Sequence, residues 1–229
     1  MNRGIMTRET LERKIQELLD EVLLLGSMVE QATLGAVRAL KDRDLAKSEE
    51  IYNGDKAVND KRFQIEERAI TIIATQQPMA RDLRILAAIL EIITELERMG
   101  DYAKGIGRIN INLGPESRVK TPVDLIKMAE TSVDMLHRAL EAFVNGNEAL
   151  ARAIPVDDDK VDADYRRIQD EILDQMVAHP KEIEDINRLL WATHNLERLA
   201  DRVTNICERT LFVITGELRE LDISDDEAQ

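Results

Sequence analysis

From Thr7 onward, Leu11, Ile15, Leu18, Leu19, Val22, Val29, Ala36 and Leu40 recur mostly at steps of three, four or seven residues. A stripe at that spacing lies along one side of an α-helix, so the chain opens with a long amphipathic helix that ends at about Lys41. Asp44 then offers an N-cap, and Ile51, Val58, Ile65, Ala69 and Ile72 continue the period to Gln77-Pro78, where proline forbids an ordinary continuation. A third helix carries Leu83 through Ile109. The stretch Asn112 to Pro122, NLGPESRVKTP, reads as the linker, after which Thr121 as N-cap and Pro122 at the first helical position reopen a helix.

The second half repeats this order. One helix runs to about Asn145-Gly146 and another from Asn147 to about Val177, with Pro155 expected to kink it or to mark its true start. A break at His179-Pro180 precedes a last helix from Lys181 to about Thr215, and the tail from Gly216 ends acidic and is expected to fray. The halves also correspond residue by residue. An offset of 103 pairs Ala36 with Ala139, Ile51 with Ile154, Asp55 with Asp158 and Val58 with Val161. After the proline turns the offset becomes 100, pairing Leu90 with Leu190, Leu96 with Leu196 and Ile106 with Ile206. The expected fold is therefore all-α, two pseudo-symmetric antiparallel three-helix bundles from an internal duplication, divided as 1–114 and 115–229.

Composition agrees with helix: 33% of residues are charged and only 3% aromatic. Thirty-one basic against 45 acidic residues give a net charge of −14, which disfavours nucleic acid and anionic lipid and suits cations or a basic partner surface. The longest apolar run, Ile85 to Ile93, is too short to span a bilayer and contains Glu91. The N-terminus lacks an apolar signal core, and the single cysteine, Cys207, permits no internal disulfide, so a cytoplasmic location is expected.

The third helix carries one apolar stripe of Ile85, Ile89, Ile92, Leu96, Met99, Ala103 and Ile106, and a second beside it of Leu83, Leu86, Leu90 and Ile93. Past Ile93 the second stripe turns acidic. Glu97 and Asp101 fall on its continuation with carboxylates on one face, about 6 Å apart along the axis. Glu197 and Asp201 repeat them on the last helix, where Asn205 adds an oxygen one turn on. On the second helix Asp55 falls between Ile51 and Val58 on the inward stripe, with Asn59 a turn later; the counterparts are Asp158 and Asp162.

Like charges four apart on a helix repel by a few tenths of a kcal/mol, and burying them costs more unless something neutralises them. A single Glu-x-x-x-Asp in an acidic helical chain is ordinarily a solvated face, and Arg98, Lys104, Arg198 and Arg202 are candidate salt-bridge partners. Repetition of the pattern where hydrophobic residues are due favours a hard cation instead. All-oxygen donors suit iron, manganese, magnesium or calcium better than structural zinc. A ferritin-like site would need Glu-x-x-His, which none of His137, His179 or His194 completes. Trp191 and Cys207 read as helix packing, and His137 as a surface residue.

These segments resemble the PhoU family, regulators of bacterial phosphate uptake and signalling. The resemblance runs from Gly26-Ser27-Met28-Val29-Glu30 through GDKAVN, IIATQQPMARDLR and ELERMGD to DKVDADY and NLERLADRVTNICE, nearly the whole chain. It implies two pseudo-symmetric bundles, each with a Glu-x-x-x-Asp motif associated with bound metal, here Glu97 and Asp101, and Glu197 and Asp201. Asp55, Asn59, Asp158 and Asp162 match the family's acidic second-helix segments as additional ligands. The metal is expected to be divalent or trivalent: iron, manganese, magnesium or zinc. Ala200 stands where many members have glycine, and Asn59 leaves the first site one charge weaker than the second.

The resemblance further implies a non-enzymatic negative regulator of phosphate uptake and phosphate-starvation signalling. It would be a cytoplasmic adaptor at the inner face of the membrane, between a phosphate ABC transporter, through its ATPase subunit, and a membrane sensor histidine kinase. A homodimer is a further expected assembly, and a hinge at Asn112 to Thr121 is the expected moving part. Two other readings remain open from the residues: a metal-dependent phosphohydrolase using the carboxylate clusters, and a purely structural helical scaffold.

Overall fold

The computed structural model describes residues 2–221, with side chains from Arg8 onward; the acidic end of the tail lies outside the described residues. Among the described residues seven α-helices follow one another: α1 Asn2–Asp42, α2 Leu45–Gln76, α3 Arg81–Leu113, α4 Leu125–Asn145, α5 Glu148–Ala153, α6 Asp158–Ala178 and α7 Ile183–Thr215. Helices α1, α2 and α3 pack on one another as a first bundle, and α4, α6 and α7 as a second. No strand occurs among the described residues. The all-α, duplicated architecture is as the period and the offsets predict.

Local chemistry sets the boundaries. Asp44 caps α2, its carboxylate accepting the Lys47 N–H at 2.9 Å. That helix stops at Gln77 in the left-handed region, φ 48°, ahead of Pro78. The start of α4 corrects the sequence expectation. Thr121 does not cap it; the Thr121 hydroxyl instead donates to the Leu40 carbonyl at 3.4 Å, residues 122–124 form a turn, and the helix opens at Leu125. The helix expected from Asn147 is also broken, into α5, a 3-10 turn at Ile154–Asp157 and α6. Pro155 lacks an N–H to continue α5 and is buried beside the fully buried Ile154.

Helices α3 and α7 form the centre. Ile89, Ile92, Leu96, Met99, Ala103 and Ile106 are fully buried, and so are their counterparts Leu189, Ala192, Leu196, Leu199, Val203 and Ile206. Leu83, by contrast, is 43% exposed, so the second stripe begins at Leu86. Trp191 is likewise 57% exposed, resting edge-on against His194, and is not core packing; Cys207 is, with its thiol pushed up to about 12 by burial.

The two bundles are joined rather than strung. Helix α3 packs along α7 and α1 along α4, giving one contiguous core. At Gly26 α1 approaches α4 closely: a Cβ there would lie 2.1 Å from Leu140 Cδ1. The linker expected to be a free hinge is held down too. Val119 is buried, and its carbonyl accepts from Arg43 Nη2 at 2.5 Å.

Fully buried Asn110 ties the end of α3 to the α1–α2 turn, its Nδ2 donating to the Ala39 carbonyl at 2.9 Å, Ser48 Oγ at 2.8 Å and the Asp44 carbonyl at 3.3 Å. Asn110→Ala is expected to lower the unfolding free energy by about 1–3 kcal/mol, because it strands buried acceptors. Exposed Asn112→Ala should change it by less than about 0.5 kcal/mol in the same urea titration.

Candidate metal centre

Each half sets an acidic pair on its central helix against an acidic segment on its neighbour. In the first half, Glu97 and Asp101 on α3 face Asp55 and Asn59 on α2. The helices approach closely at Gly100: a Cβ there would lie 3.1 Å from Val58 Cγ1 and 3.8 Å from Asp55 Oδ1. Asp55 is buried, and its Oδ2 accepts from Lys104 Nζ at 2.7 Å and from Asn59 Nδ2 at 3.0 Å. Lys104 Nζ also stands 3.6 Å from Asp101 Oδ1. The hydrogen bond to Asp55 raises the lysine pKa, so the ammonium stays charged, while burial and then Asp101 raise that of Glu97.

The second half is built alike but not compensated alike. Asp158 opens α6 and Asp162 follows one turn later, facing Glu197 and Asp201 on α7; the position that matches Lys104 is Thr204. Burial, and then the neighbouring Asp201, Asp162 and Glu197, push the Asp158 carboxyl up to about 7. Burial, Asp201 and Asp162 push Glu197 up to about 7 as well, and burial and Asp162 raise Asp201. Asp158 Oδ1 and Glu197 Oε2 are buried without a hydrogen-bond partner. His194 Nδ1 lies 3.1 Å from that Glu197 oxygen, out of line for a hydrogen bond. A cleft of about 430 Å³ opens beside the cluster, lined by Asp158, Asp201, Thr204, Asn205 and Glu208 with Arg198 and Arg202.

The arginines that sequence offers as neutralisers are engaged elsewhere. Arg202 bonds Glu95 Oε2 at 2.6 Å and the Tyr102 hydroxyl at 2.7 Å, both on α3. Arg198 lies over the Tyr102 ring at 4.9 Å, and Arg98 approaches Glu95 at 3.9 Å. Of the four candidates only Lys104 reaches a cluster carboxylate. Elsewhere in the chain buried acids have basic partners: Asp82 bonds Arg8 at 2.5 Å, and Asp164 bonds Arg167 and, at 3.4 Å, Lys127. Among the described residues no lysine or arginine bonds a carboxylate of the second cluster, and only His194 stands beside one.

All eight predicted residues fall into these two clusters, although among the described residues no three His, Cys, Asp or Glu side chains converge as a metal-ion group. Their donor chemistry fits a hard cation: carboxylate oxygens, three of them (Asp55 Oδ1, Asp158 Oδ1 and Glu197 Oε2) buried and without a hydrogen-bond partner, with Asn205 at the cleft of the second cluster. Sequence reasoning missed His194, because it sought Glu-x-x-His whereas His194-x-x-Glu197 puts the pair on one helix face in reverse order.

Fold and site together define a class: duplicated three-helix bundles, each presenting an acidic cluster between its central helix and a neighbour. The PhoU domain model matches residues 22–109 and again 125–210, and the chain belongs to that family. It is 34% identical, over 96% of its length and all of the relative's, to the phosphate-specific transport system accessory protein PhoU homolog of Clostridium acetobutylicum. It is 31% identical, over 89% of the chain and 85% of the relative, to the phosphate-specific transport system accessory protein PhoU of Escherichia coli K12. The crystal structure of the phosphate transport system regulatory protein PhoU from Streptococcus pneumoniae superposes with a TM-score of 0.84 at 31% identity, covering 91% of this chain and 99% of that one.

A carboxyl that titrates near 4 when unfolded and at about 7 in the fold stabilises the fold only while protonated. That contribution is complete below about pH 4 and is lost as pH rises to about 7. The thermal midpoint of metal-free protein is expected to fall as pH is raised from about 5 to about 8, and Asp158→Asn with Glu197→Gln should flatten the slope.

Proposed function

We propose that the protein is a non-catalytic, metal-loaded regulator of phosphate uptake, acting as an adaptor at the inner face of the membrane between a phosphate transporter and a sensor kinase. The observation that carries the reading is the second cluster, four neighbouring carboxylates, three of them (Asp158, Asp162 and Glu197) partly withdrawn from water, with no lysine or arginine bonded to any of them. Asp158, Asp162, Glu197 and Asp201 would hold a divalent or trivalent cation, iron, manganese, magnesium or zinc, whose charge neutralises them. Asp55, Asn59, Glu97 and Asp101 form the corresponding acidic set in the first bundle, where Lys104 already bonds Asp55.

The relatives' names support the transport role: matches covering most of both chains are called accessory or regulatory proteins of phosphate transport. No helix among the described residues is long and apolar enough to cross a membrane, which suits attachment through partners. A net charge of −14 suits partners with basic surfaces. Neutralising one cluster changes the charge presented along α6 and α7, so metal occupancy is a means of setting which partner arrangement is favoured.

Affinity for the immobilised transporter ATPase subunit and for the kinase's cytoplasmic portion tests this. With Mn²⁺ present, Glu197→Gln with Asp201→Asn should weaken binding to one of them at least about tenfold, some 1.4 kcal/mol. Wild-type binding that ignores both substitution and metal removal would return the clusters to a structural role, and phosphate-ester turnover lost with Glu197→Gln would favour a hydrolase.

A further inference from the structure

We infer that Lys104 is a tethered cation occupying the place of a metal in the first bundle, so that metal loading is confined to the second. This rests on the metal-binding reading and deepens it. The two clusters derive from one duplicated motif, and four of the positions at which they differ bear on the ammonium and on the donor oxygens. Where the first has Lys104, the second has Thr204; where the first has Tyr52, the second has Pro155. Asn59 corresponds to the carboxylate Asp162, and Gly105 corresponds to Asn205, which brings an amide oxygen to the cleft.

The geometry gives these differences their meaning. Lys104 Nζ donates to Asp55 Oδ2 at 2.7 Å, a charge-assisted bond to a carboxylate whose side chain is only 5% exposed. The same ammonium sits 3.6 Å from Asp101 Oδ1 and 5.7 Å from the centre of the Tyr52 ring, so an acid on each side and an aromatic face hold it in place. The first cluster thus combines three carboxylates with one ammonium, and the second combines four carboxylates with none. A metal ion entering the first cluster would have to break a buried ion pair and then share the site with the displaced ammonium. In the second cluster no ammonium is bonded to a carboxylate: Arg198 and Arg202 line the cleft but are held at Tyr102 and Glu95, and the His194 ring stands beside Glu197. Duplication has left one half that supplies its own cation and one half that takes it from solution.

The test is Mn²⁺ titration of metal-stripped full-length protein, with free Mn²⁺ read by electron paramagnetic resonance and bound metal counted by elemental analysis. The expected tight binding disappears in Asp158→Asn with Glu197→Gln and is unchanged in Asp55→Asn with Glu97→Gln. Lys104→Thr should roughly double the tightly bound Mn²⁺, and the reciprocal Thr204→Lys should weaken wild-type binding at least about tenfold. Far-UV circular dichroism confirms that each variant is folded, and the Thr204→Lys arm decides the matter should Lys104→Thr not fold. Wild-type binding lost equally from both halves, or a Lys104→Thr variant with no added Mn²⁺, would overturn the inference while leaving metal binding intact. Absence of Mn²⁺ binding from every variant and from wild type would overturn the metal reading and this inference together.

Discussion

The packing of α3 along α7 is the contact on which the rest of the molecule depends. Six consecutive positions of the inward stripe are fully buried on each helix, and they are the same six in the duplicated numbering. Each central helix is therefore fixed on two sides, by its own bundle and by its counterpart. Residues one step off that stripe have no freedom to turn outward. Glu97 and Glu197 occupy such positions, which is why acids that would be solvated on an isolated helix are held at the edge of a core.

The same contact decides which charges are available to them. Glu95 and Tyr102 project from α3 toward α7 and take Arg202, while Arg198 stacks on Tyr102. The arginines beside Asp201 are thereby used between bundles rather than within the cluster. In the first half Lys104 remains on the side of its own bundle and bonds Asp55. One structural demand, the joining of two bundles along their central helices, thus leaves the second acidic cluster with no arginine bonded to its carboxylates.

Much of this was legible in the sequence. Apolar spacing located the long helices, the two offsets disclosed the duplication, and acids on an apolar stripe marked Glu97, Asp101, Glu197, Asp201, Asp55 and Asp158 before any coordinates. What failed was local. Thr121-Pro122 has the chemistry of a helix start, yet Thr121 finds a better acceptor in the Leu40 carbonyl of another helix, and α4 waits until Leu125. Trp191 lies near an apolar period but on the solvent side, since periodicity locates a stripe more reliably than its edge. The linker reads as a hinge by composition, whereas Val119 and Arg43 pin it through contacts that no local pattern encodes. Which of four nearby basic residues would neutralise the acids was equally closed to one-dimensional reading, because Arg202 is diverted by residues about a hundred positions away.

The central claim is that an uncompensated carboxylate cluster in the second bundle is completed by a cation. Crystals of the Mn²⁺-loaded protein, with anomalous scattering recorded at the manganese edge, test it most directly. The account predicts anomalous density among Asp158, Asp162, Glu197 and Asp201 and none beside Lys104. Density confined to Asp55, Glu97 and Asp101, or no ordered manganese in either bundle, would contradict it.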